Sequence, residues 1–286
     1  MFIHNVDLHF HAGQERQPDV TLGQYFDYAQ KTGRKILGVT DHYGLYFPQR
    51  EITRRCMYKN SLDGLIEYRE DVEALKSSFP DITILFAPEI GPRDDLKSMP
   101  SQVIDMSDYF IAEPLHTEGS IDDNTNSFIS RLYEISDFMQ ATGKPIYTAH
   151  PFRSAINHRL IKRKIEPWVT RIVYRDHWGD FSYEEIRDFF MLDIKRVAKA
   201  SRKLDIPIEI NGNTQYRTRS SNLPAALQIL WAALGVILDE GVDLVPGSDL
   251  HGFVAGVGNI GQYVPVDCFE ALGIEYDDIR FMKKIL

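Results

Sequence analysis

Asp7-Leu8-His9-Phe10-His11 decides how the rest of this chain is read. An apolar run ends in two imidazoles two residues apart, and on an extended chain residues i and i+2 share a face, so both rings reach one point. Alone, His-x-His is a weak signal. Here it is echoed at other predicted strand exits, by Asp41-His42, Leu115-His116, Ala149-His150-Pro151 and Asp249-Leu250-His251, with Glu89 in Phe86-Ala87-Pro88-Glu89. Six of the nine histidines fall at these places, scattered over the chain yet always at the same structural position. A β/α barrel explains that economically, because its strands deliver their C-terminal residues to one mouth.

Working outward, apolar runs alternate with amphipathic stretches. Seven strands are expected, at about Ile3–Leu8, Lys35–Thr40, Ile82–Ala87, Tyr109–Leu115, Pro145–Ala149, Pro207–Ile210 and Leu244–Ser248. Most are continuously apolar, as parallel strands covered on both faces should be. Helices are expected at about 22–32, closed by Gly33, at 62–78 after Ser61, at 126–142 before Gly143, and at 183–204 behind the capping box Ser182-Tyr183-Glu184-Glu185. Two more are expected at 224–240, opened by Pro224, and at the C-terminal end, from Asp267-Cys268-Phe269-Glu270. The 286 residues read as one domain, with longer loops at about 43–60 and 151–181.

Composition narrows the classes. A hydrophobic fraction of 43% and a charged fraction of 26% fit a globular protein, and no apolar run reaches the roughly 20 residues a membrane span needs. Met1 to Val6 lead straight into the first motif, leaving no room for a leader, so a cytoplasmic protein is expected. Cys56 and Cys268 have no C-x-x-C spacing and read as packing residues. A net charge of −9 opposes a broad nucleic-acid footprint and is compatible with small anionic substrates.

Six imidazoles plus Glu89 and Asp249 are too many donors for one tetrahedral ion and match two or three. Mixed imidazole and carboxylate shells suit Zn, Mn or Fe rather than Mg or Ca. Glu89 is the natural bridging carboxylate. Asp7 is expected to accept the free N–H of a ligating imidazole, and Asp41 either to do the same or to bind an ion. His4 and His177 read as surface or packing residues, and His158 as a substrate contact at most. The basic side chains of the two long loops are either solvated or placed to meet substrate, with Arg153, three residues after His150, favoured for the latter.

The ordered set of motifs, Asp-Leu-His-Phe-His at 7–11, Gly-Val-Thr-Asp-His at 38–42, Pro-Glu at 88–89, Leu-His at 115–116, Ala-His-Pro at 149–151 and Gly-Ser-Asp-Leu-His at 247–251, resembles the PHP superfamily of metal-dependent phosphoesterases, named for its polymerase and histidinol phosphatase members. The resemblance spans nearly the whole chain and implies a distorted, TIM-like (β/α)7 barrel. It implies one ion on His9, His11, Glu89 and Asp249, a second on Glu89, His116 and His150, and a third on His42 and His251. Family members usually complete the third site a few residues after His-x-His. Here that segment is Ala12-Gly13-Gln14-Glu15-Arg16, so Glu15 would have to serve. Glu209-Ile210-Asn211-Gly212-Asn213-Thr214, followed by Arg217 and Arg219, looks like the phosphatase branch, where an arginine meets substrate phosphate.

The activity so implied is hydrolysis of small phosphate monoesters by a hydroxide bridging two cations. Glu89, Asp249, His251, Arg153 and Arg219 carry the chemistry, and Arg16, Arg153, Arg217 and Arg219 hold the phosphate. Three alternatives stand beside it: a phosphodiesterase or exonuclease working on nucleotides or nucleic-acid ends, a noncatalytic metal-bound protein, and an amidohydrolase. The His42 and His251 pair, Glu89 and the lack of a lysine on strand four point away from the last.

Overall fold

The computed structural model describes residues 1–12, 21–46, 58–115, 119–156, 175–220, 224–251 and 264–286. Its strands are β1 (Val6–Phe10), β2 (Ile36–Val39), β3 (Thr83–Phe86), β4 (Glu89–Ile90), β5 (Phe110–Ala112), β6 (Ile146–Thr148), β7 (Ile208–Asn211) and β8 (Leu244–Gly247). Every strand residue except Thr83 is buried, which is why most of the runs are continuously apolar rather than alternating. All pairings are parallel, in two sheets ordered β1-β2-β3 and β4-β5-β6-β7-β8.

Two expectations are corrected here. Seven runs become eight strands because the chain changes sheet at Pro88. Ala87 N donates to Val39 O at 2.8 Å and Glu89 N to Asp41 O at 3.0 Å, so hydrogen bonds toward the end of β2 continue past β3, while the Pro88 carbonyl accepts from Ile111 N at 3.3 Å and Glu89 pairs with Ile111 in the second sheet. The strands also form two sheets rather than one closed ring of ladders. The sheets meet through single bridges, Phe10 with Leu250 and His42 with Glu89.

The helices are α1 (Leu22–Lys31), α2 (Tyr43–Tyr46), α3 (Leu62–Lys76), α4 (Ser101–Met106), α5 (Ile121–Thr142), α6 (Arg153–Ile156), α7 (Tyr183–Phe190), α8 (Ile194–Leu204), α9 (Gly212–Ser220), α10 (Pro224–Asp239), α11 (Val266–Leu272) and α12 (Met282–Ile285). Helix α5 begins five residues before its expected start, because Ser120 and Asp123 form a capping box upstream of the apolar stripe. The single helix expected at 183–204 is two. Met191 takes a left-handed φ of 50° that ends α7, and the Asp193 carboxylate accepts from Arg196 N to start α8. At the C-terminal end, Pro265 rather than Asp267 precedes the first turn of α11. No helix among the described residues is long and apolar enough to cross a membrane. The long loops begin as α2 and α6, and their 47–57 and 157–174 parts, with Cys56, His158 and most of the basic side chains, lie outside the described residues. Cys268 is buried in packing.

The end of β1 is fixed from across the interior. Its pairing with β2 slips between Asp7 and Phe10, and the Leu8 carbonyl accepts hydrogen bonds from two buried phenols, Tyr109 Oη at 2.6 Å and Tyr147 Oη at 2.8 Å. Gly38 makes room for this, since a Cβ there would run into Tyr109 Oη and the Leu8 carbonyl. The residues that follow this anchor are His9 and Phe10 on β1 and His11 just past its end.

Candidate metal centre

The described strand ends bring their candidate ligands together. His9 and His11 leave β1, His42 follows β2, Glu89 opens β4, His150 follows β6, and Asp249 and His251 follow β8. Glu89, His9, His11 and Asp249 are wholly buried, His150 and His251 are 4% exposed, and only His42 is more open. His9 Nε2 lies 3.0 Å from His11 Nε2. Glu89 reaches His42 Nδ1 with Oε2 at 2.6 Å and His150 Nε2 with Oε1 at 2.8 Å. Asp249 Oδ1 lies 3.0 Å from His251 Nδ1 and 3.3 Å from His11 Nε2.

Among the described residues, four sets of donor atoms lie within 4.8 Å of one another: His11, His42 and His251; His9, Glu89 and His150; His9, His11 and Asp249; and His42, Glu89 and Glu113. His150 and Asp249 both hold positive φ, 23° and 55°, a conformation that costs non-glycine residues energy and is retained where a site needs it.

Other residues act on these donors. Glu209, on β7 and 1% exposed, places Oε1 2.8 Å from His9 Nδ1. Asp7 instead turns to the backbone: its Oδ1 accepts from Ser248 N at 2.8 Å and His9 N at 3.3 Å, and its Oδ2 lies 4.0 Å from Arg34 Nε. The imidazole contact expected of Asp7 therefore belongs to Glu209, while Asp7 joins the ends of β1 and β8. Asp41 Oδ1 stands 3.7 Å from His11 Nδ1. Arg153 Nη1 lies 3.0 Å from Asp249 Oδ2 and 3.2 Å from His150 Nε2. Asn213 Nδ2 donates to Asp249 Oδ2 at 3.0 Å.

Glu15, Arg16 and His116 lie outside the described residues, and of Arg217 and Arg219 only the backbone, on α9, is described. His4 stacks on Phe2 at the surface, and His177 Nδ1 accepts from Gly179 N, so neither belongs to the cluster. Sequence reasoning passed over Glu113, and it read Glu209 only as part of the 209–214 motif and not as the partner of a ligand. A carboxylate inside the apolar run Pro207–Ile210 was a signal for Glu209, and a carboxylate closing the run before His116 for Glu113.

The charges are strongly coupled. Burial works to raise the Glu89 carboxyl, but the His42 and His9 imidazoles outweigh it and hold the group well below the usual carboxylate range. Burial likewise opposes ionisation of Asp249, and Arg153, His251 and His9 overcome it. Burial depresses His9 and His42, yet Glu209 and Glu89 around the first, and Glu89 beside the second, raise both above the ordinary histidine value. His251, buried and next to His11, is pushed down to about 3.

This donor set fits divalent transition metals. His11 Nδ1, Glu89 Oε2 and Asp249 Oδ1 are buried and aligned for no hydrogen bond, although imidazole nitrogens stand around both carboxylate oxygens. Inward-facing imidazoles and carboxylates that fail to satisfy one another are what cation ligands look like without their cation.

No family model matches the sequence, and no curated protein matches it significantly. Solved structures resemble it to differing degrees. The histidinol phosphate phosphatase of Lactococcus lactis, crystallised with zinc, L-histidinol and phosphate, superposes with a TM-score of 0.51 at 19% identity, over 86% of this chain and 86% of that one. A 5-methylcytosine deaminase from Klebsiella pneumoniae, liganded with 5-fluorocytosine, gives 0.42 at 12% identity, over 94% of this chain and 60% of that one, too loose a likeness to carry an argument. The first establishes a shared mixed α/β architecture with parallel sheets, and nothing finer.

Proposed function

We propose that this chain is a metal-dependent phosphoesterase that hydrolyses small phosphate monoesters, built as one domain on a distorted TIM-like β/α barrel parted between its two sheets. The observation that carries the reading is the meeting of His9, His11, His42, His150 and His251 on Glu89 and Asp249, with buried oxygens of both carboxylates left without hydrogen bonds. The fold shared with a phosphatase solved with zinc and phosphate supports it.

His9, His11, Glu89 and Asp249 would hold one ion, and Glu89 and His150, with His116, a second. The grouping of His11 with His42 and His251 supports a third that does not depend on Glu15. When bound, such ions supply Lewis acidity and a hydroxide at neutral pH. Glu89 turns Oε2 toward His9 and His11, 3.5 Å from each Nε2, and Oε1 toward His150, and so would couple the first two sites. Arg153, its side chain 20% exposed and its guanidinium at the rim beside Asp249, orients a nonbridging phosphate oxygen by a charge-assisted hydrogen bond. Arg16, Arg217 and Arg219 are the remaining candidates for that task.

The test compares turnover of p-nitrophenyl phosphate and bis(p-nitrophenyl) phosphate by metal-loaded protein, with His9→Ala prepared identically. Monoester turnover lost in His9→Ala is expected. A diester preference would move the substrate to nucleotides or nucleic-acid ends, and no His9-dependent turnover of either would refute the hydrolase.

A further inference from the structure

Glu209 occupies a place that the metal ligands do not explain. It is a carboxylate between Ile208 and Ile210 in the middle of a buried strand, where ionised groups are costly unless fully paired. Both oxygens are used. Oε1 meets His9 Nδ1 at 2.8 Å, and Oε2 accepts from His150 N at 2.7 Å and from Asn211 Nδ2 at 3.1 Å. One side chain on β7 therefore grips a residue of β1 and a residue just beyond β6.

The two gripped groups are the ones whose geometry a cation would feel. With a carboxylate on Nδ1, the His9 ring carries its proton there and turns Nε2 inward, toward His11 Nε2 at 3.0 Å and Glu89 Oε2 at 3.5 Å. At His150 the gripped atom is the amide of a residue with φ of 23°, so Glu209 rewards a backbone that would otherwise relax. The neighbouring strand is shaped around the contact. A Cβ on Gly247 would run into Glu209 Oε1 and come within 2.6 Å of His9 Cβ, so no larger residue fits beside this pair.

We infer that Glu209 is the positioning residue of the metal centre: it fixes the tautomer and direction of His9 and the backbone of His150, so that both present Nε2 to ions, and Gly247 is kept bare to admit it. The inference rests on the metal-centre reading above. A ligand histidine whose other nitrogen is held by a carboxylate is more basic and cannot turn, and loss of such a partner costs about 10–100-fold in metal affinity.

Titration of metal-free protein with Zn²⁺, followed by calorimetry against a competing chelator, tests this without recourse to turnover. Glu209→Ala, shown folded by its thermal melt, is expected to bind its tightest zinc about 10–100-fold more weakly than wild type. Glu209→Gln keeps one accepting oxygen but turns an NH₂ toward the donors on its other side, and should fall between. Gly247→Ala keeps every ligand and Glu209 itself, and should weaken zinc as Glu209→Ala does. Wild-type affinity in folded Glu209→Ala overturns the inference while leaving the metal centre standing. Should that variant not fold, wild-type affinity in both Glu209→Gln and Gly247→Ala overturns it. A wild-type protein that takes up no zinc overturns the metal reading and this inference together.

Discussion

Replacing Glu89 by alanine should cost far more turnover than replacing Arg153, and the structure says by how much. Arg153 brings one guanidinium to the rim, where a charge-assisted hydrogen bond to a phosphate oxygen contributes about 1.5–3 kcal/mol. Losing it slows kcat/KM by roughly 10- to 150-fold at about 1.36 kcal/mol per decade. Glu89 belongs to two donor sets, meeting His42 at 2.6 Å on one oxygen and His150 at 2.8 Å on the other. Without it both sides of the centre lose a ligand, and with them the several kcal/mol that ions give to charge developing on phosphorus. A loss of roughly 4–5.5 kcal/mol, or about 10³- to 10⁴-fold, is expected. The assay is steady-state hydrolysis of p-nitrophenyl phosphate by both variants, with bound metal counted by mass spectrometry in the same samples. Glu89→Ala should have lost metal, whereas Arg153→Ala should keep it and show its defect mainly in KM. A kcat for Glu89→Ala near wild type, or an Arg153→Ala defect as large as that of Glu89→Ala, would refute the assignment of Glu89 as the shared carboxylate.

Two further outcomes concern stability. Tyr109→Phe and Tyr147→Phe should each cost about 0.5–1.5 kcal/mol in urea unfolding, since the remaining phenol still serves the Leu8 carbonyl. The double variant strands that buried carbonyl and should exceed the sum by about 1 kcal/mol; simple additivity would show that the carbonyl has another partner. Removal of metal with a chelator should lower the melting temperature by about 5 °C relative to protein at 100 Kd of zinc, where binding contributes about 2.7 kcal/mol. Identical melts with chelator and with zinc would count against a bound ion.

How much of this was legible in the sequence depended on whether a signal was local. The strand exits could be read because each ligand stands beside the apolar run that carries it, as His9 stands in β1 and Asp249 behind β8. Strand β4 escaped notice because two residues make no periodicity and only Ala87 and Pro88 stand between it and β3. The break between α7 and α8 was hidden because Leu192 is buried and keeps the apolar pattern running through it, while the stop is made by the φ of Met191 and the cap by Asp193. The exchange of roles between Asp7 and Glu209 has the same origin. Asp7 is two residues from His9 and invited pairing by proximity, but its carboxylate is taken by the amides of His9 and Ser248. The residue that does hold the ring is 200 positions away along the chain and touches it only because β7 and β8 bring it behind His9, past a glycine. A ligand is chosen by its own chemistry, so its residue type shows in the sequence. The partner that aims a ligand is chosen by what lies opposite in the folded sheet, and the only trace it leaves is a charge in an apolar strand where none should be.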